Sequence, residues 1–202
     1  MNKILTLFLL AGLFFISACG NTEMTGTWKS PSYAGGALNN VLVIGLGNNS
    51  TVARMFEDSF VNSLRSRGIT ATQGYVALNG AAPTESNIKK VVKANRYSAV
   101  IVTTKEKEEH KTEYVQGATY MQPVYYGMYP YVMTQYTMVQ TPGYFENIKV
   151  VYISTKIYST ANNNLIWSGE SQSFNPQASQ STVNSLVGTL VSSMSKDGII
   201  SK

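Results

Sequence analysis

Apolar residues recur in a pattern that predicts three strands separated by two helices. The unbroken apolar runs at 41–44 and 99–102 are typical of strands buried on both faces, and a weaker strand falls within 69–78. Between them, apolar residues spaced three and four apart predict helices beginning near Asn49 or Ser50 and at Thr84. This order of elements predicts two crossover units, and therefore parallel strands.

The last third of the chain follows a different pattern. Residues 149–158 alternate, a turn follows at 160–164, and Leu165, Ile166 and Trp167 form the second arm of a predicted antiparallel hairpin. A final helix ends before Gly198, and its apolar face consists of Val183, Leu186, Val187, Leu190, Val191 and Met194. The predicted fold class is α/β (α+β): a mixed sheet of about five strands, two parallel crossover units followed by an antiparallel hairpin, and three main helices.

The first residues form an export signal. Lys3 precedes an apolar stretch from Ile4 to Ile16 that is too short to span a bilayer, and small residues precede Cys19, the only cysteine. This segment resembles the lipobox of bacterial lipoproteins, which implies that residues 1–18 are removed and that Cys19 carries lipid such as palmitate. The alternative is an ordinary secretory signal that leaves Cys19 as a free thiol.

The residue after the cysteine bears on the location of the protein. Gly20 stands there in place of an aspartate. By resemblance to the sorting pattern of Gram-negative lipoproteins, this implies lipid anchoring in the outer membrane, facing the periplasm. A Gram-positive cytoplasmic membrane stays open as an alternative, because nothing in the sequence specifies the type of envelope.

Composition divides the remainder into a spacer and one domain. Residues 19–39 are rich in Asn, Thr, Ser and Gly and predict a lipidated flexible tether, in which Trp28 packs on the folded body. Residues 40–202 suit a single α/β domain with an insert at about 114–145. The net charge of +5, one less without Lys3, is spread among acids, so nucleic acid is not an expected partner.

The insert is unusually rich in tyrosine and methionine and has no charged residue. Pro123, Gly127 and Pro130 argue against a regular central strand or helix and predict a long loop or irregular extended hairpin. Tyrosine offers a large, stiff contact area with a polar tip. The insert packs on its own domain, contacts a partner or meets the membrane. The candidate partner contacts are Tyr120, Tyr125, Tyr126, Tyr129, Tyr131 and Tyr136.

The sequence gives little support for catalysis or for a bound cofactor. His110 with the insert's methionines suggests a soft Cu(I) site, but the spacings are irregular. Gly45 and Gly47 lie where a dinucleotide-binding loop would lie, yet Ser50 replaces the third glycine and no acidic residue ends the second strand. With one histidine in the chain, a Ser-His-Asp triad is not expected. We expect no enzyme activity, no cofactor, no metal and no small-molecule substrate.

The body resembles bacterial envelope domains that include the amino-terminal domain of TolB, the penicillin-binding-protein activator lipoproteins and the curli-secretion lipoprotein. A closer resemblance is carried by five segments: 28–31 (Trp-x-x-Pro), 41–44, 54–58 (Arg-x-Phe-Glu-Asp), the insert and 165–167. Through these segments the chain is more similar to an uncharacterised family of proteobacterial outer-membrane lipoproteins with a Tyr/Gly-rich insert.

These resemblances and the signal suggest a function. We expect a non-enzymatic envelope adaptor or assembly factor whose partners are the membrane, through its anchor, and an envelope protein or the cell wall. The alternative is a component of an outer-membrane secretion or pore complex in which the insert contacts the membrane, although Pro123 and Pro130 interrupt a spanning pair of strands.

Overall fold

A six-stranded mixed sheet forms the centre of the computed structural model, which describes residues 22–33, 38–124 and 135–201. The strand order is β1-β8-β7-β4-β2-β3, and β5 pairs with β6 in a separate two-stranded sheet. The strands are β1 Thr22–Lys29, β2 Asn40–Leu46, β3 Thr70–Gln73, β4 Ala99–Val115, β5 Thr119–Val124, β6 Gln135–Gln140, β7 Tyr144–Ser159 and β8 Leu165–Phe174. The mixed α+β class is confirmed, with one more strand in the main sheet than predicted.

Four helices occur within the described part of the chain: α1 Ser50–Arg65, α2 Gly74–Ala77, α3 Glu85–Asn95 and α4 Gln180–Lys196. The predicted caps are present, because the Asn49 side chain accepts hydrogen bonds from the first turn of α1 and Thr84 does the same for α3. Gly198, with a φ of 68°, follows the end of α4. None of these helices is both long and apolar enough to cross a bilayer.

The two predicted crossover units are confirmed. Strand β2 pairs in parallel with β3 on one side and with β4 on the other, and β4, β7, β8 and β1 then pair antiparallel. The stretch predicted as a second strand within 69–78 is divided, since β3 takes four residues and α2 takes the next four.

The main core lies between one face of the sheet and helices α1 and α4. Phe60, Leu64 and Trp167 are fully buried there together with the whole apolar face predicted for α4. A second, smaller cluster around Leu42 and Tyr97 packs α3 against the opposite face. Burial on both faces explains why β2 is an unbroken apolar run.

The predicted tether is wrong over residues 22–29, because these residues form edge strand β1 of the main sheet. Thr22 pairs with Ser173 and Lys29 with Trp167. The segment reads as a spacer because its residues are polar, and its hydrogen-bonding partner lies about 150 positions away in the sequence. Trp28 lies in β1 and is 46% exposed, so the body covers it only in part.

Candidate functional site

An arm of paired strands extends from the main sheet. Strands β4 and β7 have 17 and 16 residues. Both extend well beyond the segments predicted for them, which are 99–102 and 149–158. Strand β2 accompanies β4 only as far as Thr104, and β8 accompanies β7 only from Val150 onward. Beyond these points β4 and β7 pair only with each other, and we call His110–Val115 with Tyr144–Lys149 the proximal ribbon.

The proximal ribbon leads into the two-stranded sheet of β5 and β6, which we call the distal hairpin. The Thr141 backbone N–H donates to the Ala118 carbonyl, and the Ala118 N–H donates to the Thr141 hydroxyl, so pairing continues between the two parts. A Cβ at Gly117 would overlap the Thr141 carbonyl oxygen, and one at Gly143 would overlap the Tyr114 hydroxyl. Glycine is therefore required at position 117, where the overlap is with backbone, whereas a side chain at position 143 would displace the exposed Tyr114 ring. The ribbon and the hairpin together form the arm.

A β-bulge lies where the arm leaves the body. Lys105 pairs with Ile153 and Lys107 with Tyr152, which leaves Glu106 as an extra residue on β4. Such a bulge bends the strand, increases its twist and changes which side chains share a face. The core face of β4 therefore continues into the arm as Glu108, His110, Thr112 and Tyr114.

Charged side chains surround the base of the arm. The Glu108 carboxylate accepts hydrogen bonds from the Lys105 and Lys149 ammonium groups at 2.5 and 2.9 Å, and these bonds lower its pKa to about 2. Lys107 pairs with Glu109 and lies 4.3 Å from the centre of the Tyr152 ring. His110 is exposed next to Glu108. These exposed pairs keep the base of the arm hydrated.

The arm loses all charge towards its far end. In the sequence, no charged residue lies between Glu113 and Glu146. Tyr114 and Phe145 pair directly across the ribbon, with ring centroids 5.2 Å apart, and 73% of Phe145 is exposed. Aromatic side chains left in water at this level are typical of a contact surface.

The two faces of the distal hairpin differ in character. Met121 pairs with Met138 and Pro123 with Tyr136, so these four side chains share one face. Met121 and Met138 are 68% and 71% exposed. The opposite face carries Tyr120, Gln122, Thr137 and Val139. The Met121 face also carries Thr119 and Gln140, the pair nearest the ribbon. Its remaining part, formed by Met121, Pro123, Tyr136 and Met138, is what we call the apolar face, and the opposite side is the mixed face.

The predicted contact residues divide between described and undescribed parts of the chain. Tyr120 and Tyr136 lie on opposite faces of the distal hairpin, 48% and 63% exposed. Cys19, Tyr125, Tyr126, Tyr129 and Tyr131 lie outside the described residues. Pro123 lies within β5, which is not a central strand, and β5 and β6 form the extended hairpin that the sequence offered as the alternative to a loop. A two-stranded sheet has only edge strands, and these tolerate the missing N–H.

A second cluster of polar groups lies at the turn after β2, where the glycine pair suggested a dinucleotide loop. The Glu57 carboxylate is buried there and accepts hydrogen bonds from the backbone N–H groups of Gly45 and Tyr75, both at 2.9 Å. Burial raises the pKa of Glu57, against the opposing effect of the backbone donors at Gly45, Tyr75 and Gly74. This carboxylate uses the backbone donors that a phosphate group would need.

The neighbours of Glu57 complete a structural link between α1 and α2. Asp58 accepts hydrogen bonds from the Tyr75 hydroxyl at 2.8 Å and from the Gln73 amide, and this contact raises the pKa of Tyr75. The Arg54 guanidinium lies 5.5 Å from the centre of the same tyrosine ring. The Arg-x-Phe-Glu-Asp segment therefore links α1 to the turn and to α2.

Within the described residues, no group of three or more His, Cys, Asp or Glu side chains is placed to hold a metal ion. The residues considered for copper are also in different sheets, since His110 pairs with Lys149 in the main sheet and Met121 with Met138 in the distal hairpin. Met128 and Met133 lie outside the described residues.

Known proteins offer only distant likenesses. No protein-family model matches the chain. No curated protein sequence matches it. Among solved structures, it is similar to a PelC dodecamer from Paraburkholderia phytofirmans, with 12% identity, a TM-score of 0.48, and coverage of 85% of this chain and 95% of that one. The lipoprotein GNA1162 from Neisseria meningitidis gives 13% identity, a TM-score of 0.42, and coverage of 78% and 99%. We draw no functional argument from these likenesses.

Proposed function

We propose that this chain is a lipid-anchored envelope lipoprotein that faces the periplasm and acts as a non-enzymatic adaptor or assembly factor. The single observation that carries the proposal is the arm, whose uncharged aromatic and methionine side chains stand clear of the body and remain exposed. The export signal and the lipobox-like segment ending at Cys19 supply the attachment to a membrane.

The mechanism follows from anchoring combined with a stiff contact element. Attachment through Cys19 confines the protein to a surface and raises its effective concentration towards any neighbour there. Paired strands hold the aromatic side chains of the arm in place, so little conformational entropy is lost when they make contact. The adaptor therefore acts by bringing its arm to one surface in the envelope.

The chemistry of the two polar clusters supports a role without catalysis. The buried carboxylate of Glu57 is occupied by backbone donors, and the one histidine of the chain is exposed beside Glu108. Glu108 itself is paired with two lysines, which keeps it ionised. Neither cluster offers a nucleophile next to a general base.

Crosslinking in living cells tests the contact role of the arm. A photoreactive amino acid at Tyr120 or Tyr136 should give abundant crosslinks to whatever molecule the arm contacts, because both side chains are exposed on the arm. The control is the same amino acid at Lys89 on α3, which is at least as exposed but lies on the body. Equal yields at the arm and at Lys89 would contradict the proposal.

Lipid attachment is tested separately. Labelling with a palmitate analogue should mark the wild-type protein and not Cys19→Ser, and the variant should leave the membrane fraction. A wild-type protein that is unlabelled and soluble would contradict the lipid anchor. The crosslinking experiment would still test the contact role of the arm.

A second candidate function is a component of an outer-membrane secretion or pore complex. The observation that favours it is that the uncharged end of the arm is an antiparallel hairpin. Its two described strands have six residues each, against about nine to eleven for a spanning strand. A ring-shaped oligomer that resists alkaline carbonate extraction would favour this candidate over the adaptor.

A further inference from the structure

We propose that the surface contacted by the arm is the lipid bilayer that carries the anchor, with the apolar face of the distal hairpin lying in its interfacial layer. This inference rests on the proposed anchor at Cys19. It gives the protein two points of attachment to one membrane, the acylated terminus and the hairpin.

The first argument is the shortness of the connection between lipid and body. Because β1 begins at Thr22, only three peptide steps separate its first residue from Cys19. Three residues reach at most about 10 Å when fully extended. The spacer predicted from composition would have allowed the body to stand several times farther from the membrane. The folded β1 instead holds the edge of the sheet close to the bilayer surface.

The second argument is the direction in which the arm leaves the body. Thr22 pairs with Ser173, Ser173 with Val151, and Val151 with Glu108, so these four residues form one row across the sheet. Strands β1 and β7 are both antiparallel to β8 and therefore run in the same direction. Moving from Thr22 towards Cys19 and moving from Val151 towards Tyr144 lead towards the same end of the molecule. The first residue of β1, from which the chain leads back to Cys19 in the sequence, and the arm therefore lie at the same end of the sheet.

The third argument is a comparison of lengths. The proximal ribbon has six residue pairs, which correspond to about 20 Å at the rise of an antiparallel strand. That is about twice the reach of the three residues that join the lipid to the sheet. When the body stands upright on its anchor, an arm longer than this gap and at the same end of the sheet reaches the bilayer.

The chemistry of the arm fits an interfacial position. Tyrosine is enriched where one end of a side chain is apolar and the other is hydrated, and methionine adapts to irregular apolar surroundings. Met121, Pro123, Tyr136 and Met138 supply the face that would be buried. Charged residues stop at Glu113 and Glu146, so no charge has to leave water when the hairpin inserts.

Depth-dependent fluorescence quenching tests the inference. The acylated mature protein is reconstituted in vesicles of phosphatidylethanolamine and phosphatidylglycerol, without other proteins. A cysteine introduced by Met121→Cys can be labelled selectively with an environment-sensitive dye, because the sulfur of Cys19 carries the lipid. We expect blue-shifted emission and several-fold stronger quenching by spin-labelled lipids than for the same dye at Lys89→Cys on α3.

The hairpin itself supplies a second, matched comparison. Met121→Glu with Met138→Glu places two charges on the apolar face, and Gln122→Glu with Thr137→Glu places two on the mixed face of the same strands. With the dye at Tyr136→Cys, the first pair should abolish the lipid quenching and the second should retain most of it. Equal losses in both pairs would contradict a buried apolar face.

The remaining outcomes separate this inference from the proposed function. Emission and quenching at Met121→Cys equal to those at Lys89→Cys would overturn membrane insertion, and crosslinks to a protein at Tyr136 in cells would then leave the adaptor role standing. If Cys19 proves free of lipid, the unacylated chain is tested for flotation with the same vesicles. Failure to float would then overturn insertion of the hairpin in addition to the anchor.

Discussion

Strands β4 and β7 pass through two opposite environments. Near Ile101 and Ile157 they are fully buried, with further strands on both sides and helices α1 and α4 above them. Near Tyr114 and Phe145, in the proximal ribbon, they have only each other, and both aromatic side chains are exposed. One continuous pair of strands therefore supplies the centre of the core at one end and the candidate contact surface at the other.

This difference shows that apolar residues have different roles in the two regions. In the body, apolar side chains stabilise the fold by leaving water. In the arm they gain nothing of this kind from folding, since they remain in water until another surface covers them. Substitutions in the body should therefore change stability, and substitutions in the arm should change contacts while stability stays nearly constant.

The largest expected effect comes from comparing two phenylalanines. Phe60→Ala, in the fully buried core, should lower the free energy of unfolding by about 3–5 kcal/mol because it leaves a cavity. Phe145→Ala, in the arm, should lower it by less than about 1 kcal/mol, since the ring contacts Tyr114 but remains exposed. Denaturant unfolding monitored by circular dichroism measures both. Similar losses would show that the arm is packed against the body.

Two glutamates sharpen the same comparison. Glu57→Ala leaves the buried N–H groups of Gly45 and Tyr75 without an acceptor and should cost about 2–4 kcal/mol in unfolding free energy. Glu113→Ala removes an exposed charge that lies directly opposite Glu146 in the ribbon, and should be neutral or slightly stabilising. Denaturant unfolding monitored by circular dichroism measures the unfolding free energy of both variants. A neutral Glu57→Ala would mean that another group supplies the acceptor.

The pH dependence of stability should show the contribution of Glu57. Its pKa in the folded state is raised above the ordinary value of 4.5, so its contribution is complete below pH 4.5 and is lost as pH rises through the folded pKa. Glu57→Gln cannot ionise and should lack this decline, although the amide lowers stability by facing a backbone donor. Unfolding free energies measured from pH 4.5 upwards compare the two proteins. Identical slopes would contradict the raised pKa.

The smallest expected effect, of opposite sign, concerns Glu108 at the base of the arm. Hydrogen bonds from Lys105 and Lys149 lower its pKa to about 2, so its contribution is present above pH 4.5 and is lost as pH falls through about 2. Glu108→Gln should leave unfolding at neutral pH unchanged within error, because exposed pairs contribute little. Titration of the carboxyl carbon by NMR should give the low pKa, and 1 M salt should raise it. An ordinary pKa at low salt would show that the lysines do not pair with it.

Local pattern was sufficient to predict much of the body. The apolar runs of β2 and of the buried part of β4, the apolar face of α4 and the caps at Asn49 and Thr84 all depend on neighbours within a few residues. The order of these elements then implied parallel pairing of β2 with β3 and β4. The unusual composition of the insert also indicated a candidate contact segment, which forms the outer part of the arm.

Other features could not be predicted because distant segments create them. Strand β1 is polar and becomes a strand only through pairing with β8. The buried position of Glu57 depends on the backbone of Gly45 and Tyr75, which belong to other elements. The bulge at Glu106 decides which side chains share a face of the arm, and it leaves no periodic signal in the sequence.

The sequence by itself predicted an export signal and a mixed sheet with amphipathic helices, and it contains an uncharged stretch rich in tyrosine and methionine. These properties follow from the order of residue types along the chain. Only the tertiary structure decided that the stretch belongs to an arm, that Met121, Pro123, Tyr136 and Met138 share one face of it, and that it leaves the body at the end of the sheet where β1 begins. Those relations depend on strand register across the sheet, and register is fixed by contacts between residues far apart in the sequence.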